Sequence, residues 1–227
     1  MKIYAVKIPE KIESIIFDEL LKCLPDEKQK RIKRCIRPEI AMQRLVADIL
    51  VRSLVQKHLS IKNSRIEIKV NNHGKPYIPG ADNFHFNISH SHQWVVCAVD
   101  DKPIGVDVEL IKPVDFNIAK RFFCDEEYKS LMEKDGLERL HYFYTLWTLK
   151  ESYLKAIGTG MAISLRSFSI KLDGDKITLE NPTEFRDCYF MTYDIDANYK
   201  LSVCAKNNSF PGRITVKDFN ELCFFKG

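Results

Sequence analysis

Two short segments carry residues that could do chemistry together: WTLKESYLK, Trp147 to Lys155, and GVDVE, Gly105 to Glu109. Helical spacing in the first puts Trp147, Lys150, Glu151, Leu154 and Lys155 on one face, an aromatic beside two cations and a carboxylate. Strand alternation in the second sends Val106 and Val108 to one side and Asp107 and Glu109 to the other. If Glu151 meets that acidic side, three carboxylates converge in a pocket flanked by lysines, an oxygen-ligand set suited to holding Mg²⁺ against a diphosphate. Two like charges about 4 Å apart repel by roughly 4 kcal/mol near a protein surface, so three converging carboxylates call for a cation. The expected chemistry is phosphoryl transfer. Taken singly, each segment also reads as a wet strand face or an ordinary helical ion pair.

Those elements sit in a chain of 227 residues, 45% hydrophobic, with material for a sizeable core in one domain or two small ones. It has no run of about 18 apolar residues, and its start, MKIYAVKIPEKIES, lacks the pattern of a secretory signal, so a soluble cytoplasmic protein without membrane partners is expected. Its seven cysteines are scattered without a Cys-x-x-Cys pair, against a disulfide framework or structural zinc and in favour of buried thiols. The net charge of +4 is unevenly placed. KQKRIKRCIR, Lys28 to Arg37, holds six cations and no carboxylate. It reads as a solvated helix face, a nucleic-acid contact or a clasp for a phosphorylated small molecule. The absence of interleaved aromatics disfavours nucleic acid.

An extended start, Lys2 to Ile8, leads into an amphipathic segment, Ile12 to Cys23, a basic helix opened by Pro25 and Asp26, and a longer helix, Pro38 to Leu59. After the turn-rich NNHGKPYIPGADN come strands Phe84 to Ser89, Trp94 to Val99 and GVDVE, expected to form one sheet with a helix across it. Helices from Asn117 to Ile157 and strands near Phe168 to Leu172, Lys176 to Glu180, Cys188 to Asp194 and Leu201 to Lys206 repeat the order. WVVCAV (Trp94 to Val99) and KLSVCAK (Lys200 to Lys206) echo one another, each following a long helix. The expected fold is α+β: two similar halves, 1–103 and 104–227, with a small-molecule site at their seam.

FNISHS, Phe86 to Ser91, offers a Ser-His pair, but strand neighbours point to opposite faces, which argues against a nucleophile and its base. His85 falls on the face away from His90 and His92, against zinc. Ser89 and His90 remain as polar binding groups, and HGKP, His73 to Pro76, as a glycine turn whose lysine grips phosphate or ribose.

With GKP (Gly74 to Pro76), FNISHS, GVDVE, RFFCDEEY (Arg121 to Tyr128) and WTLKESYLK in this order, the chain resembles the 4'-phosphopantetheinyl transferases of the surfactin-synthetase (Sfp) type. The resemblance spans nearly the whole chain. It implies a monomer of two similar α+β halves with coenzyme A in the cleft between them. The implied reaction transfers the 4'-phosphopantetheine arm to a serine of an acyl, peptidyl or aryl carrier protein and releases 3',5'-adenosine bisphosphate. Asp107, Glu109 and Glu151 are implied ligands of Mg²⁺, with Mn²⁺ as a substitute, and Glu127 the general base. Lys150 and Lys155 are implied contacts of phosphate oxygens, Lys155 stabilising charge in the transition state. Lys75, Ser89 and His90, with His73, Gly74 and Pro76, are expected at the nucleotide end, His90 near the 3'-phosphate. Lys28, Arg31, Arg37 and Arg44 are the basic-helix candidates. Ile157 to Leu165, where two glycines loosen the backbone, is expected to meet the carrier through Met161 or Leu165, or else to be a plain connection. A silent carrier- or nucleotide-binding module on the same fold is the alternative. An intact acidic set with a base argues against it.

Overall fold

The computed structural model describes residues 1–174, 176–182 and 185–223, without the side chains of Met161 and Cys223. The first part of the chain forms β1 (Lys2–Lys7), α1 (Ser14–Lys22), α2 (Asp26–Lys33), α3 (Pro38–Leu59), a small hairpin of β2 (Lys69–Val70) and β3 (Pro76–Tyr77), then β4 (His85–Ser91) and β5 (Trp94–Asp100). There follow β6 (Ile104–Leu110), α4 (Asn117–Phe122), α5 (Asp125–Met132), α6 (Gly136–Ile157), β7 (Ser169–Asp173), β8 (Lys176–Glu180), β9 (Tyr189–Tyr193), β10 (Tyr199–Ala205), β11 (Thr215–Lys217) and α7 (Phe219–Cys223).

The two longest helices play matching parts. Each has 22 residues and stops where the next residue turns left-handed, Ser60 after α3 (φ 55°) and Gly158 after α6 (φ 81°). Pro38 starts α3 at a position where its missing N–H costs nothing. α3 packs across β4 and β5, α6 across β6 and β10. The sheets run β11-β1-β5-β4 and β6-β10-β9, so the two strands sharing the Val-Cys-Ala echo are each held between neighbours on both sides. Cys97 and Cys204 are fully buried there. The fold is two similar α+β halves.

The seam differs from the expected arrangement in two ways. GVDVE does not extend the first sheet: β6 pairs antiparallel with β10, Asp107 opposite Ser202. β4 reaches it with side chains instead. Asn87 Oδ1 accepts from Val106 N–H at 2.9 Å, Ser89 Oγ from Val108 N–H at 3.3 Å and Ser91 Oγ from Leu110 N–H at 3.0 Å. Alternate residues of one edge strand thereby satisfy the N–H groups of the other. Second, the chain crosses back at its end: β11 pairs parallel with β1, and Phe219 and Leu222 enter the core beneath α3, so a division at 103/104 cuts through the first half's packing.

The sheet faces turned away from α3 and α6 share one core. Ile3, Ala5, Val96 and Ala98 meet Ile104, Val106, Val108, Leu201 and Val203. Val106 and Val108 therefore bury on one side of β6 and leave Asp107 and Glu109 on the other, as strand alternation predicts.

Candidate active site

A cavity of about 640 Å³ opens along the seam, within the usual range for small-molecule sites. Its lining combines a cationic group, Lys28, Arg31, Arg44 and His90, with an acidic one, Asp107, Glu109 and Glu151 beside Lys155, and Ile32, Val51, Ile68, Phe86 and Ile88 as apolar wall. One cleft thus holds both cationic and acidic groups. Trp147 also lines it, stacked on Phe143 (5.8 Å between centroids) and edge-on to Phe122 (5.6 Å).

The acidic region depends on the close approach of α6 to β6. A Cβ on Gly105 would collide with the carbonyl oxygen of Ser152 and the nitrogen of Ala156, so only glycine lets helix and strand meet here. That contact brings Glu151 and Lys155 over Asp107 and Glu109. Lys155 Nζ lies 2.6 Å from Asp107 Oδ1 and 3.0 Å from Ser89 Oγ. Ser89 also donates to Asp107 Oδ1 at 2.9 Å, and Ser91 to Glu109 Oε2 at 2.9 Å. Burial, reinforced by Asp107, pushes the Glu109 carboxyl up to about 7, and burial with Asp107 also raises Glu151.

These residues form no ready-made metal cage: among the described residues no three acidic, His or Cys side chains converge as a ligand set. They nonetheless suit a hard cation. Asp107 Oδ2 is buried without a hydrogen-bond partner, an omission that costs roughly 1–3 kcal/mol in a site with no other use for it. It lies in a group of carboxylates whose proton affinities are already raised. All available donors are carboxylate oxygens, the ligand type Mg²⁺ prefers.

Several predicted residues stand elsewhere. Glu127 and Lys150 do not line the cleft; they form a buried ion pair, Nζ 2.7 Å from both carboxylate oxygens, with side-chain exposures of 3% and 1%. Glu127 also accepts from Cys124 N–H at 2.9 Å and Ile170 N–H at 2.8 Å, and Lys150 donates to Phe168 O at 2.8 Å. Both carboxylate oxygens are thus taken up by Lys150 and these two N–H groups in a site sealed from the cleft, so Glu127 has no approach to an incoming hydroxyl and does not fit the role of general base. Burial lowers the Lys150 ammonium while Glu127 opposes the fall. The geometric reason is simple: consecutive helical residues diverge by roughly 100°, so Lys150 and Glu151 cannot both face the cleft. The missed signal is the Cys124-x-x-Glu127 spacing, a capping box in which Glu127 turns back to the start of α5.

Other corrections are smaller. Arg37 immediately precedes α3, exposed and outside the cleft lining. Pro76 lines the main cavity, and His73, Gly74 and Lys75 join it around a smaller adjoining one with Glu151 and Lys155. Lys75, however, turns its ammonium to Ala156 O at 2.9 Å and Ile104 O at 3.2 Å, not to open space. Leu165 is buried at 7% exposure within the core of the second half, and so has no surface to offer a partner. The side chain of Met161, the other proposed contact, lies outside the described residues. Burial, with Lys155 and Arg44 nearby, lowers the His90 imidazole below its usual range.

The sequence profile of the 4'-phosphopantetheinyl transferase superfamily matches residues 103–204, and that of the 4'-phosphopantetheinyl transferase N-terminal region matches 12–102. The chain is 40% identical over 223 residues to 4'-phosphopantetheinyl transferase Sfp of Bacillus subtilis, covering 98% of this chain and 100% of that one. It is 35% identical over 219 residues to 4'-phosphopantetheinyl transferase gsp of Aneurinibacillus migulanus, covering 96% and 92%. A more distant likeness, 29% over 216 residues, is to the L-aminoadipate-semialdehyde dehydrogenase-phosphopantetheinyl transferase of Xenopus laevis, covering 88% of this chain and 70% of that protein.

Proposed function

The chain belongs to the 4'-phosphopantetheinyl transferase superfamily, and we propose how its cleft divides that enzyme's work. The reaction moves the 4'-phosphopantetheine arm of coenzyme A to a serine of a carrier protein and leaves 3',5'-adenosine bisphosphate. The observation that carries the assignment of roles is the juxtaposition, within one cavity, of the Lys28, Arg31, Arg44 and His90 group with the Asp107, Glu109, Glu151 and Lys155 group. The first is chemically matched to the phosphates at the nucleotide end. The second is matched to the reacting pyrophosphate.

Asp107, Glu109 and Glu151 would hold Mg²⁺, which when bound supplies positive charge to the pyrophosphate oxygens of the leaving group. Lys155, now on Asp107, is the cation within reach of the same oxygens and adds stabilisation as negative charge develops there. Ser89 and Ser91 fix the carboxylates Asp107 and Glu109 by hydrogen bonds, so neither must reorient when the substrate arrives. Trp147 and the apolar wall limit water on one side. With Glu127 sealed in its ion pair, the carboxylates lining the cavity are Asp48, Asp107, Glu109 and Glu151, and Lys28 already holds Asp48 at 3.0 Å. The serine proton therefore leaves to the acidic group or to solvent.

The carrier would approach across the 157–165 segment, whose Gly158 and Gly160 border the smaller cavity beside Lys155. The active unit in this scheme is a monomer, with the cationic and acidic groups lining the same cavity. Use of coenzyme A supports a cytoplasmic site of action. Among the described residues no helix is long and apolar enough to cross a membrane.

The nucleotide end is tested with donors. Coenzyme A should be preferred over 3'-dephospho-coenzyme A by roughly 1.5–3 kcal/mol for each charged hydrogen bond lost. Arg44→Ala or His90→Ala should remove much of that preference. Competition between the two donors in wild type and both variants reads it, and equal use by the wild type removes the 3'-phosphate from the cationic group.

A further inference from the structure

The geometry points to Lys75 as a positioning residue: its ammonium ties the last turn of α6 to the first residue of β6 and so sets how closely Glu151 and Lys155 stand to Asp107 and Glu109. The inference rests on the transferase reading of the cleft.

The contacts are specific. Lys75 Nζ donates to Ala156 O at 2.9 Å and to Ile104 O at 3.2 Å. Ala156 follows Lys155, and Ile104 lies three residues before Asp107, so one side chain joins the elements that carry the whole acidic group. Ala156 O is one of the terminal carbonyls that a helix cannot satisfy internally, and the C-terminal end of a helix favours a cation. No carboxylate is paired with Lys75 among the described residues, and burial holds its pKa down at about 8. An ammonium intended for a phosphate would stay in the open cleft. This one is spent on main-chain oxygens.

The neighbouring contacts serve the same joint. The Lys75 stem lies against Gly158, where an added Cβ would be 2.6 Å from Lys75 Cδ. Asn71, on the same hairpin, donates to Gly158 O at 2.9 Å, while its Oδ1 accepts from the main-chain N–H groups of His73 and Lys75 at 2.9 Å each. The β2–β3 hairpin thus grips the end of α6 by two side chains, on the same stretch where Gly105 lets helix and strand meet.

The test is Lys75→Met, which keeps the stem and removes the ammonium, with Asn71→Ala as a milder loosening of the same grip. Transfer is measured as kcat and as KM for coenzyme A. Mn²⁺ binding to the free protein is measured separately by electron paramagnetic resonance. A misplaced carboxylate group predicts kcat lowered about 10- to 100-fold, coenzyme A KM within about 3-fold of wild type, and Mn²⁺ bound several-fold more weakly. Asn71→Ala should move the same quantities in the same direction by less. A raised KM at unchanged kcat would make Lys75 a nucleotide contact, and unchanged kcat and Mn²⁺ affinity would make the tie irrelevant; either overturns the inference. Should Lys75→Met not fold, Lys75→Gln and Asn71→Ala are read by the same criteria. If the wild type transfers nothing, the transferase reading fails, and the Mn²⁺ comparison still decides the role of Lys75.

Discussion

Glu127→Ala should cost about 3–5 kcal/mol of stability, because it strands the Lys150 ammonium in the core without its counter-charge. The side chains of the pair are 3% and 1% exposed, and the carboxylate also serves the N–H groups of Cys124 and Ile170. Domains of this kind hold about 5–15 kcal/mol in total, so the loss is a large part of the whole. The double variant Glu127→Gln, Lys150→Met removes both charges and keeps one acceptor oxygen, enough for one of the two N–H groups; it should recover part of the loss, since a buried ion pair is often worth little against neutral side chains of similar size. Urea unfolding of Glu127→Gln, Lys150→Met and their double variant gives the coupling directly, and Glu127→Ala gives the cost of stranding the ammonium. Activity then separates two roles. If Glu127 only supports α5 and α6, the double variant regains transfer along with stability. A stable double variant whose transfer remains down by about 10² to 10⁴ would restore the general-base role that the geometry denies it.

The second large effect runs the opposite way. Asp107→Asn should lower transfer at least about a hundredfold, the rate equivalent of roughly 3 kcal/mol of transition-state stabilisation, yet leave the fold as stable as wild type or slightly more so. Asp107 raises the proton affinity of both Glu109 and Glu151, and its Oδ2 is buried without a partner. Removing its charge relieves that crowding. It also frees Lys155, whose side chain retains 28% exposure and so has water to turn to. Crowded like charges at a cleft are what function demands and stability does not. Thermal unfolding and single-turnover transfer on the same preparation check both halves. A variant that is clearly destabilised but fully active would make Asp107 a structural residue.

Much of this was legible in the sequence. Strand alternation placed Asp107 and Glu109 away from Val106 and Val108, and the Val-Cys-Ala echo marked the two central strands, because a two-residue period and a buried apolar core leave little choice. The bounds of α3 followed from Pro38 and the apolar run to Leu59. What failed was finer. Three- and four-residue spacing groups Lys150 with Glu151, but it is too coarse to show that Lys150 turns into the core. Lys75 belongs to a turn that looks like a phosphate grip, and only the arrival of the end of α6 shows its ammonium engaged. Leu165 seemed available for a partner because sequence cannot show which side of a connection the second core covers. The pairing of β6 with β10, and the return of β11 to β1, depend on long-range register that no local pattern encodes.

The most direct measurement is the mass of an apo carrier protein after incubation with this enzyme and coenzyme A, with Mg²⁺, with excess chelator, and with Mg²⁺ restored. The carrier should gain one phosphopantetheine arm, on a serine, in the first and third conditions only. Equal modification in excess chelator would contradict the role given to Asp107, Glu109 and Glu151; no modification of any carrier, by a folded enzyme that binds coenzyme A, would contradict the assignment of the cleft as a transferase site.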